Sequence, residues 1–395
     1  MLILAIDLGK FNSMCCFYDT NSRKPDFQKA ETTRRYLTTV LKSRQVDLVV
    51  MEACGPSGWI SDLCEELGLK TLVCSTNEEA WQWKNVKRKT DKDDALKLAK
   101  MAEMGALSAV HVPKQEVREQ RTLIKYRKTL DQRVNRIKNT IRSLFANRGI
   151  QIDSGKRAWC TGRKLIDSHR KPIIECELDE LWKGELDMEL TQLDALAVQL
   201  DKVEKRLGVI AKNNPHITRL MTIPGVGPRT AEVLVATIDN PHRFKNARQV
   251  SSYIGMIPKQ YQSGETDRNG RITKRGSRLL RTMLVECAWI SIRYNAWAKL
   301  TYARLHGGQK TRRKKAGIAL ARKIAVIAWG MMRDETDWEP SKLLPELEPG
   351  DKAKIKVTQR PNVPAGAVLA QQTKASISRG SSRSRPGSRK QASPK

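Results

Sequence analysis

The apolar positions change their spacing along the chain. Over the first 110 residues, short apolar runs alternate with helical periods. Residues 2–6 and 13–18 are two such runs, and Gly9-Lys10-Phe11-Asn12 joins them at hairpin spacing. Residues 34–43 carry helical spacing. Residues 47–53 (DLVVMEA) read as a buried strand, followed by Gly55-Pro56 and a helix over 57–67. Residues 71–74 form another short strand, and Ala95, Leu98, Ala99 and Ala102 give residues 91–104 one apolar helical face. The predicted order is β-β-β-α-β-α-β-α, a mixed α/β sheet.

Two long, highly charged helical periods follow. Residues 114–148 place Val117, Leu123, Ile124, Leu130, Val134, Ile137, Ile141 and Leu144 at helical intervals. Residues 185–211 place Leu186, Leu190, Leu193, Leu196, Leu200, Val203 and Leu207 in steps of three and four, a coiled-coil seam. The pattern leaves three uses open: an antiparallel arm, pairing between protomers, or amphipathic helices of a bundle. Residues 155–174 between them are basic and irregular. Residues 215–333 form a third, mostly helical unit. From about residue 340, Pro, Gly, Ser, Lys and Arg dominate; such a segment buries no core and is predicted to be disordered. The predicted division is 1–112, 113–213, 214–335 and 336–395, an α/β domain plus all-α regions and a basic tail.

Charge changes the picture most. The 395 residues carry a formal net charge of +31. A folded chain so charged repels itself, and a polyanion offsets this by releasing its condensed counterions on binding. Nucleic acid is the expected partner; a ribosome-like or membrane-surface protein is the alternative. No run of 18 apolar residues is present, so no membrane span is predicted. The opening MLILAIDLGK reads as a strand and not a signal peptide. The eight cysteines form no CxxC pair and have no His at metal spacing, as for reduced core cysteines in a cytoplasmic, nucleoid-associated protein.

Four acids stand out against this basic background. Asp7 and Glu52 each end an apolar strand next to small residues. Asp91 and Asp94 are three apart at a helix start, so they share a face and complement the helix dipole. Four carboxylates suit two divalent metals, and hard oxygen ligands favour Mg²⁺ or Mn²⁺. Taken singly, each acid has an ordinary structural use: a turn residue at a strand end, or an N-cap at Thr90 or Asp91. Asp93 has the wrong spacing and is predicted to be a spectator.

In the C-terminal unit, LMTIPGVGPRTAEVLVATI (220–238) has the form of a helix-hairpin-helix. Gly225 and Gly227 would let backbone N–H groups approach a phosphate, and the helix start at Arg229 and Thr230 favours an anion. The alternative is a tight helix–helix turn without a ligand. Residues 250–277 follow as a polar, basic loop or hairpin with Arg268, Arg271, Lys274 and Arg275. Ser263 lies there in Gln-Ser-Gly, where its hydroxyl is accessible to act as a nucleophile toward a phosphate held by the cations; an ordinary solvated loop serine is the alternative.

The pieces AIDLGK, VVMEACGPSG, KTDKDDALKLA, LMTIPGVGPRTAEVLVATI and YIGMIPKQYQSGETDRNGRITKRGSRLLR occur in one order over about residues 1–333. In that order the chain resembles insertion-sequence transposases with an N-terminal DEDD, RuvC-like domain and a C-terminal transposase domain, the bridge-RNA-guided recombinases. The resemblance implies an RNase H-like first domain with Asp7, Glu52, Asp91 and Asp94 as its acidic tetrad. It implies that Ser263 links covalently to DNA while metal at the tetrad of another protomer assists. It also implies a coiled-coil assembly segment, a homo-oligomer (dimer or tetramer), donor and target double-stranded DNA, and a structured guide RNA that chooses sequence by base pairing. The tail beyond about 340 and the stretch around 159–174 depart from the family pattern. Two competing readings stand: a metal-dependent endonuclease of Holliday-junction type using the tetrad alone, and a non-catalytic nucleic-acid-binding protein.

Overall fold

The computed structural model describes residues 1–75, 90–263 and 266–340; the tail segment 341–395 lies outside them. The chain divides into two compact units, Met1–Glu119 and Gln120–Lys395.

The first unit is a five-stranded mixed sheet. Its strands are β1 (Leu2–Asp7), β2 (Asn12–Asp19), β3 (Pro25–Glu31), β4 (Leu48–Glu52) and β5 (Thr71–Cys74), in the order β3-β2-β1-β4-β5. β1 pairs antiparallel with β2 and parallel with β4, and β4 pairs parallel with β5. Helices α1 (Arg34–Lys42) and α2 (Ser57–Glu66) cover one face, where Leu4, Ile6, Phe17, Val49 and Met51 meet Leu37, Leu41, Ile60 and Leu63. Helix α3 (Asp91–Glu103) covers the other, packing Ala95, Leu98 and Ala99 on Ile3, Ala5, Tyr18 and Val50. Cover on both faces is why β1 and β4 read as unbroken apolar runs. β3 is an edge strand, opened by Pro25 and largely exposed; its polar sequence PDFQKAE suits an edge that must not pair further.

The second unit is helical. Two 32-residue helices, α4 (Gln115–Ala146) and α6 (Leu181–Lys212), run antiparallel within the chain. Ile124 and Leu130 share one core with Leu200, Val203 and Leu207. Ile137, Ile141 and Phe145 share another with Trp182, Leu186, Leu190 and Leu193. The three-and-four seam of α6 is therefore buried against its own chain. The basic stretch between the two helices folds back on them through α5 (Arg163–Asp167), with Ala158 and Ile166 in the same core.

The first of those cores continues into α7 (Pro215–Leu220), α8 (Pro228–Ile238), α9 (Ala247–Ile254), α10 (Arg278–Tyr294), α11 (Ala296–His306) and α12 (Arg313–Arg333). Strands β6 (Pro258–Ser263) and β7 (Thr266–Ile272) form a separate hairpin between α9 and α10. Among the described residues no helix is long and apolar enough to cross a membrane. All eight cysteines are free thiols.

A buried ionic cluster fastens α8 to both long helices. Arg127 of α4 lies 2.8 Å from Glu232 of α8 and 3.8 Å from Glu204 of α6. Arg229 bridges Asp131, at 3.1 Å, and Glu204. The side chains of Arg127 and Glu232 are each 4% exposed. Burial pushes the Glu232 carboxyl up, and the Arg127 charge opposes it. Breaking such a pair strands a charge, whereas replacing both partners with apolar groups need not. Glu232→Leu and Arg127→Met alone should each cost about 3–5 kcal/mol in denaturant unfolding, and the double variant should recover most of that loss.

Lys138, 3% exposed near the far end of α4, is a second buried charge. Burial first, and then the Arg142 charge, bring its ammonium down to about 8. Its folded pKa lies below its unfolded value, so the wild-type penalty is full below about pH 8 and fades toward the unfolded value of 10.5. Lys138→Met should be more stable than wild type at pH 7, and thermal melts should show this gap closing by pH 10.

Candidate active site

Alternation along the strands decides where the first two acids point. Ile3 and Ala5 face α3, so Asp7, two residues on, belongs to the same face. In β4, Leu48 and Val50 face α3, and Glu52 follows them. β1 and β4 are adjacent and parallel, with Ile6 opposite Met51, so Asp7 and Glu52 end neighbouring strands at one sheet edge. Both are half-buried. Their charges reach a common neighbour: the Cys54 thiol is pushed up by burial first, and then by Glu52 and Asp7.

Helix α3 brings the other pair to that edge. Its last residue, Glu103, accepts a 3.0 Å hydrogen bond from the Tyr18 hydroxyl, and Tyr18 pairs with Ile3 near the start of β1. The helix therefore runs back toward the strand ends. Asp94 lies about 14 Å along the helix from Glu103, and Asp7 about 13 Å along β1 from Ile3, so the two come level. Thr90 is the N-cap: its hydroxyl accepts from the Asp93 N–H at 3.2 Å and donates to the Asp93 carboxylate at 2.6 Å. Asp93 is thus used by the cap, while Asp91 and Asp94 lie on the helical stripe that continues to Leu98.

Two turns fix the edge. Gly9 packs so closely that a Cβ there would lie 2.0 Å from the Asn12 carbonyl oxygen. Thr32 clasps the same turn, its N–H donating to the Phe11 carbonyl at 2.8 Å and its hydroxyl to the Gly9 carbonyl at 3.0 Å. After Glu52, the Ser57 hydroxyl donates to the Cys54 carbonyl at 2.9 Å and accepts from the Cys54 N–H at 3.2 Å.

All four carboxylates therefore share one sheet face and one end. Among the described residues, however, no three Asp, Glu, His or Cys side chains are drawn together closely enough to hold a metal ion. The donor set is all oxygen and sits at the carboxyl ends of parallel strands, where open α/β sheets place their ligands; it fits a hard divalent cation.

The serine stands on the β6–β7 hairpin, which is exposed along both strands. Ser263 ends β6 and pairs with Thr266, while Tyr261 pairs with Arg268. Alternation puts Ser263, Tyr261, Thr266 and Arg268 on one face. The Gln260 amide donates to Asp267 at 3.2 Å on the other face, and Arg271 lies further down β7, where the pairing register shifts. Lys274 and Arg275 follow at the base, both exposed. Cross-strand backbone bonds close the neck, from Thr273 N–H to the Ile257 carbonyl (2.9 Å) and from Lys274 N–H to the Gly255 carbonyl (3.1 Å). Gly255 (φ +74°) and Gly276 (φ +71°) each meet the opposite backbone, and a Cβ on either would come within 2.1 Å of a carbonyl oxygen. The Arg281 guanidinium donates to the carbonyls of Ile254 and Gly276, each at 3.1 Å, and of Arg275. Sequence reasoning missed Arg281 and these two glycines; a helical arginine and loop glycines carry no signal for such a clasp.

The α7–α8 turn divides its candidates. Gly225 has φ +106°, and a Cβ there would lie 2.8 Å from Ser291 Cα of α10. Its need for glycine is thus explained by packing. Gly227, the N-cap of α8, has open space around it. Arg229 is engaged by Asp131 and Glu204, and Thr230 is buried.

Residues 4–147 match a transposase family model, the DEDD type of the IS110 group. Residues 217–303 match a second, described as the transposase IS116/IS110/IS902 family. Two relatives along most of the chain are named transposases, and a third matches a shorter part. The transposase for insertion sequence element IS1111A of Coxiella burnetii is 29% identical over 85% of this chain and 90% of its own length. A probable family 20 transposase of Pseudomonas aeruginosa is 27% identical over 74% and 86%. The pilin gene-inverting protein of Moraxella bovis is 31% identical over 38% and 45%. The mixed sheet with acids at one edge, followed by a helical region, is consistent with a DEDD, RNase H-like transposase, an enzyme that acts on DNA. The chain belongs to the IS116/IS110/IS902 transposase family.

The two turn glycines should separate in experiment. Gly225→Ala should cost more than ~2 kcal/mol of unfolding free energy, because both its φ and the Ser291 backbone oppose a Cβ. Gly227→Ala should stay within ~0.5 kcal/mol of wild type. Parallel urea titrations of the two variants check this.

Proposed function

We propose that this transposase breaks and rejoins DNA strands through Ser263, with the acids at the sheet edge as the second half of the active site. The observation that carries the reading is the hairpin. A serine stands at the exposed end of a polar ribbon on the same face as Arg268, and the ribbon is rooted by Arg281 and two closely packed glycines. Such a serine reaches a phosphate without unfolding anything, and Arg268 lies where charge builds up on the attacked phosphoryl group.

The step is a transesterification. The Ser263 Oγ–P bond forms as the phosphorus–oxygen bond to one deoxyribose breaks. The serine gives up its proton, and the departing sugar oxygen gains one. The free hydroxyl of another strand reverses the step and releases the serine, so the phosphodiester bond count is kept without water or nucleotide. Asp7, Glu52, Asp91 and Asp94 would hold Mg²⁺ or Mn²⁺, which supplies neutralising charge at phosphate oxygens. Asp7 and Glu52 would hold that ion from the sheet edge, and Asp91 and Asp94 would hold it from α3.

Family resemblance supports the remaining parts. The acids and serine of one site come from different protomers of a dimer or tetramer, assembled through the α4–α6 arm acting as a coiled coil. Donor and target double-stranded DNA are chosen by a structured RNA, and the reaction belongs in the cytoplasm with the chromosome. Gly227 at the start of α8, with Arg271, Lys274 and Arg275 near the hairpin base, would grip DNA backbone. Arg229 and Thr230 act behind that surface by fastening α8 to the core.

Ser263→Ala should abolish strand exchange and the covalent protein–DNA adduct, seen as a shifted band on denaturing gels, with DNA affinity within about twofold of wild type. An adduct that persists removes the serine from the mechanism. Asp7→Asn and Glu52→Gln should each stop the reaction. Metal-dependent nicking that survives in Ser263→Ala supports the endonuclease reading instead, and unchanged behaviour of both acid variants supports a non-catalytic one.

A further inference from the structure

Helix α12 begins in an unusual electrostatic setting. Lys310, Arg312, Arg313, Lys314 and Lys315 put five cations into six residues, across a short 3-10 turn and the first turn of the helix. All five are exposed. No acidic residue occupies that first turn, and the N-cap, Arg312, makes no side-chain capping bond. Among the described residues none of the five has a carboxylate partner. Each term works against the free protein: like charges one turn apart repel, and cations sit at the positive end of the helix dipole. The cluster does not relax by swinging away. Ala316, Gly317 and Leu320 are buried, and Gly317 lies so close to Trp289 of α10 that a Cβ there would come 2.9 Å from the indole.

We infer that this cluster is a docking site for the phosphate backbone of duplex DNA, separate from the serine hairpin. The spacing supports the choice. Six residues of 3-10 and α-helix rise about 10 Å. Duplex DNA carries one charge per about 1.7 Å of axis, hence about six over that length, twice what a single strand offers. Sequence readout is not involved, because the contacts are to phosphates alone. The site rests on the chain's action on DNA and not on the role of Ser263.

The test uses the full chain and a 30-base-pair duplex of arbitrary sequence, with binding followed by fluorescence anisotropy from 0.05 to 0.3 M NaCl. Substituting Arg312, Arg313, Lys314 and Lys315 together with Gln should weaken binding at least tenfold at 0.1 M NaCl. It should also flatten the log K against log salt slope by about 3–4, since each phosphate contact contributes about 0.9. The pair K314Q/K315Q should flatten it by about half as much. Without DNA at low salt, both variants should melt at or above the wild-type temperature, because the repulsion is gone. A control removes four exposed cations elsewhere, K24Q/K29Q/K42Q/K70Q, and should change the slope by less than 1. Equal losses in control and cluster variants would overturn the site in favour of bulk charge. So would a loss confined to a structured RNA of equal length, or an unchanged slope. Ser263→Ala should keep the wild-type slope, so failure of the serine mechanism and failure of this site read out separately.

Discussion

Burial of the central sheet on both faces is the constraint from which the first unit follows. Strands β1 and β4 must be apolar along their length because α1 and α2 cover one side and α3 the other. The first place either strand can carry a charge is its carboxyl end, where the cover stops. Asp7 and Glu52 stand there, on the face that α3 occupies. Carboxylates on neighbouring strands repel each other, a cost that the divalent cation of the proposed mechanism would offset. The same packing that fixes α3 on Ile3, Ala5 and Tyr18 delivers Asp91 and Asp94 to the same edge. Stability and the proposed chemistry thus share one set of contacts.

The second unit solves a different problem. A small polar hairpin with neither face buried holds no shape by itself. Its fixed geometry comes from its root: glycines at left-handed φ, paired backbone across the neck, and one guanidinium gathering three carbonyls. Helix α10, which supplies Arg281, also packs against Gly225 at the α7–α8 turn and against Gly317 of α12. The hairpin is therefore anchored to the helical core. That core in turn is joined to α4 and α6 through Arg127, Glu232, Arg229, Asp131 and Glu204.

Sequence patterning was most informative where burial imposes a period. β1, β2, β4, β5 and α1 to α3 all lie within a residue or two of the positions their apolar spacing predicts. β3 was expected but could not be located, because Ala30 is its single buried position and a polar edge strand leaves no alternation to read. The seam of α6 was legible, but its partner was not, since the same steps suit a helix of this chain or of another; the shared cores name α4. Among the candidate site residues, the strand-end positions of Asp7 and Glu52 were legible because a charge ends an apolar run. Asp93 was set apart from Asp91 and Asp94 by spacing, and its carboxylate accepts from the Thr90 hydroxyl. Arg229 illustrates the limit. On spacing alone it looks poised for a phosphate, and the two carboxylates that engage it come from helices far away in sequence.

The central claim is that acids and serine are two halves of one active site contributed by different protomers. The most direct measurement mixes two inactive proteins, one carrying Asp7→Asn and the other Ser263→Ala, and assays strand exchange. Mixed oligomers would then contain one site with both defects and one with none, so exchange should return to a substantial fraction of wild type. Mixed oligomers that form, as shown by differently tagged subunits co-purifying, yet remain inactive would contradict the account.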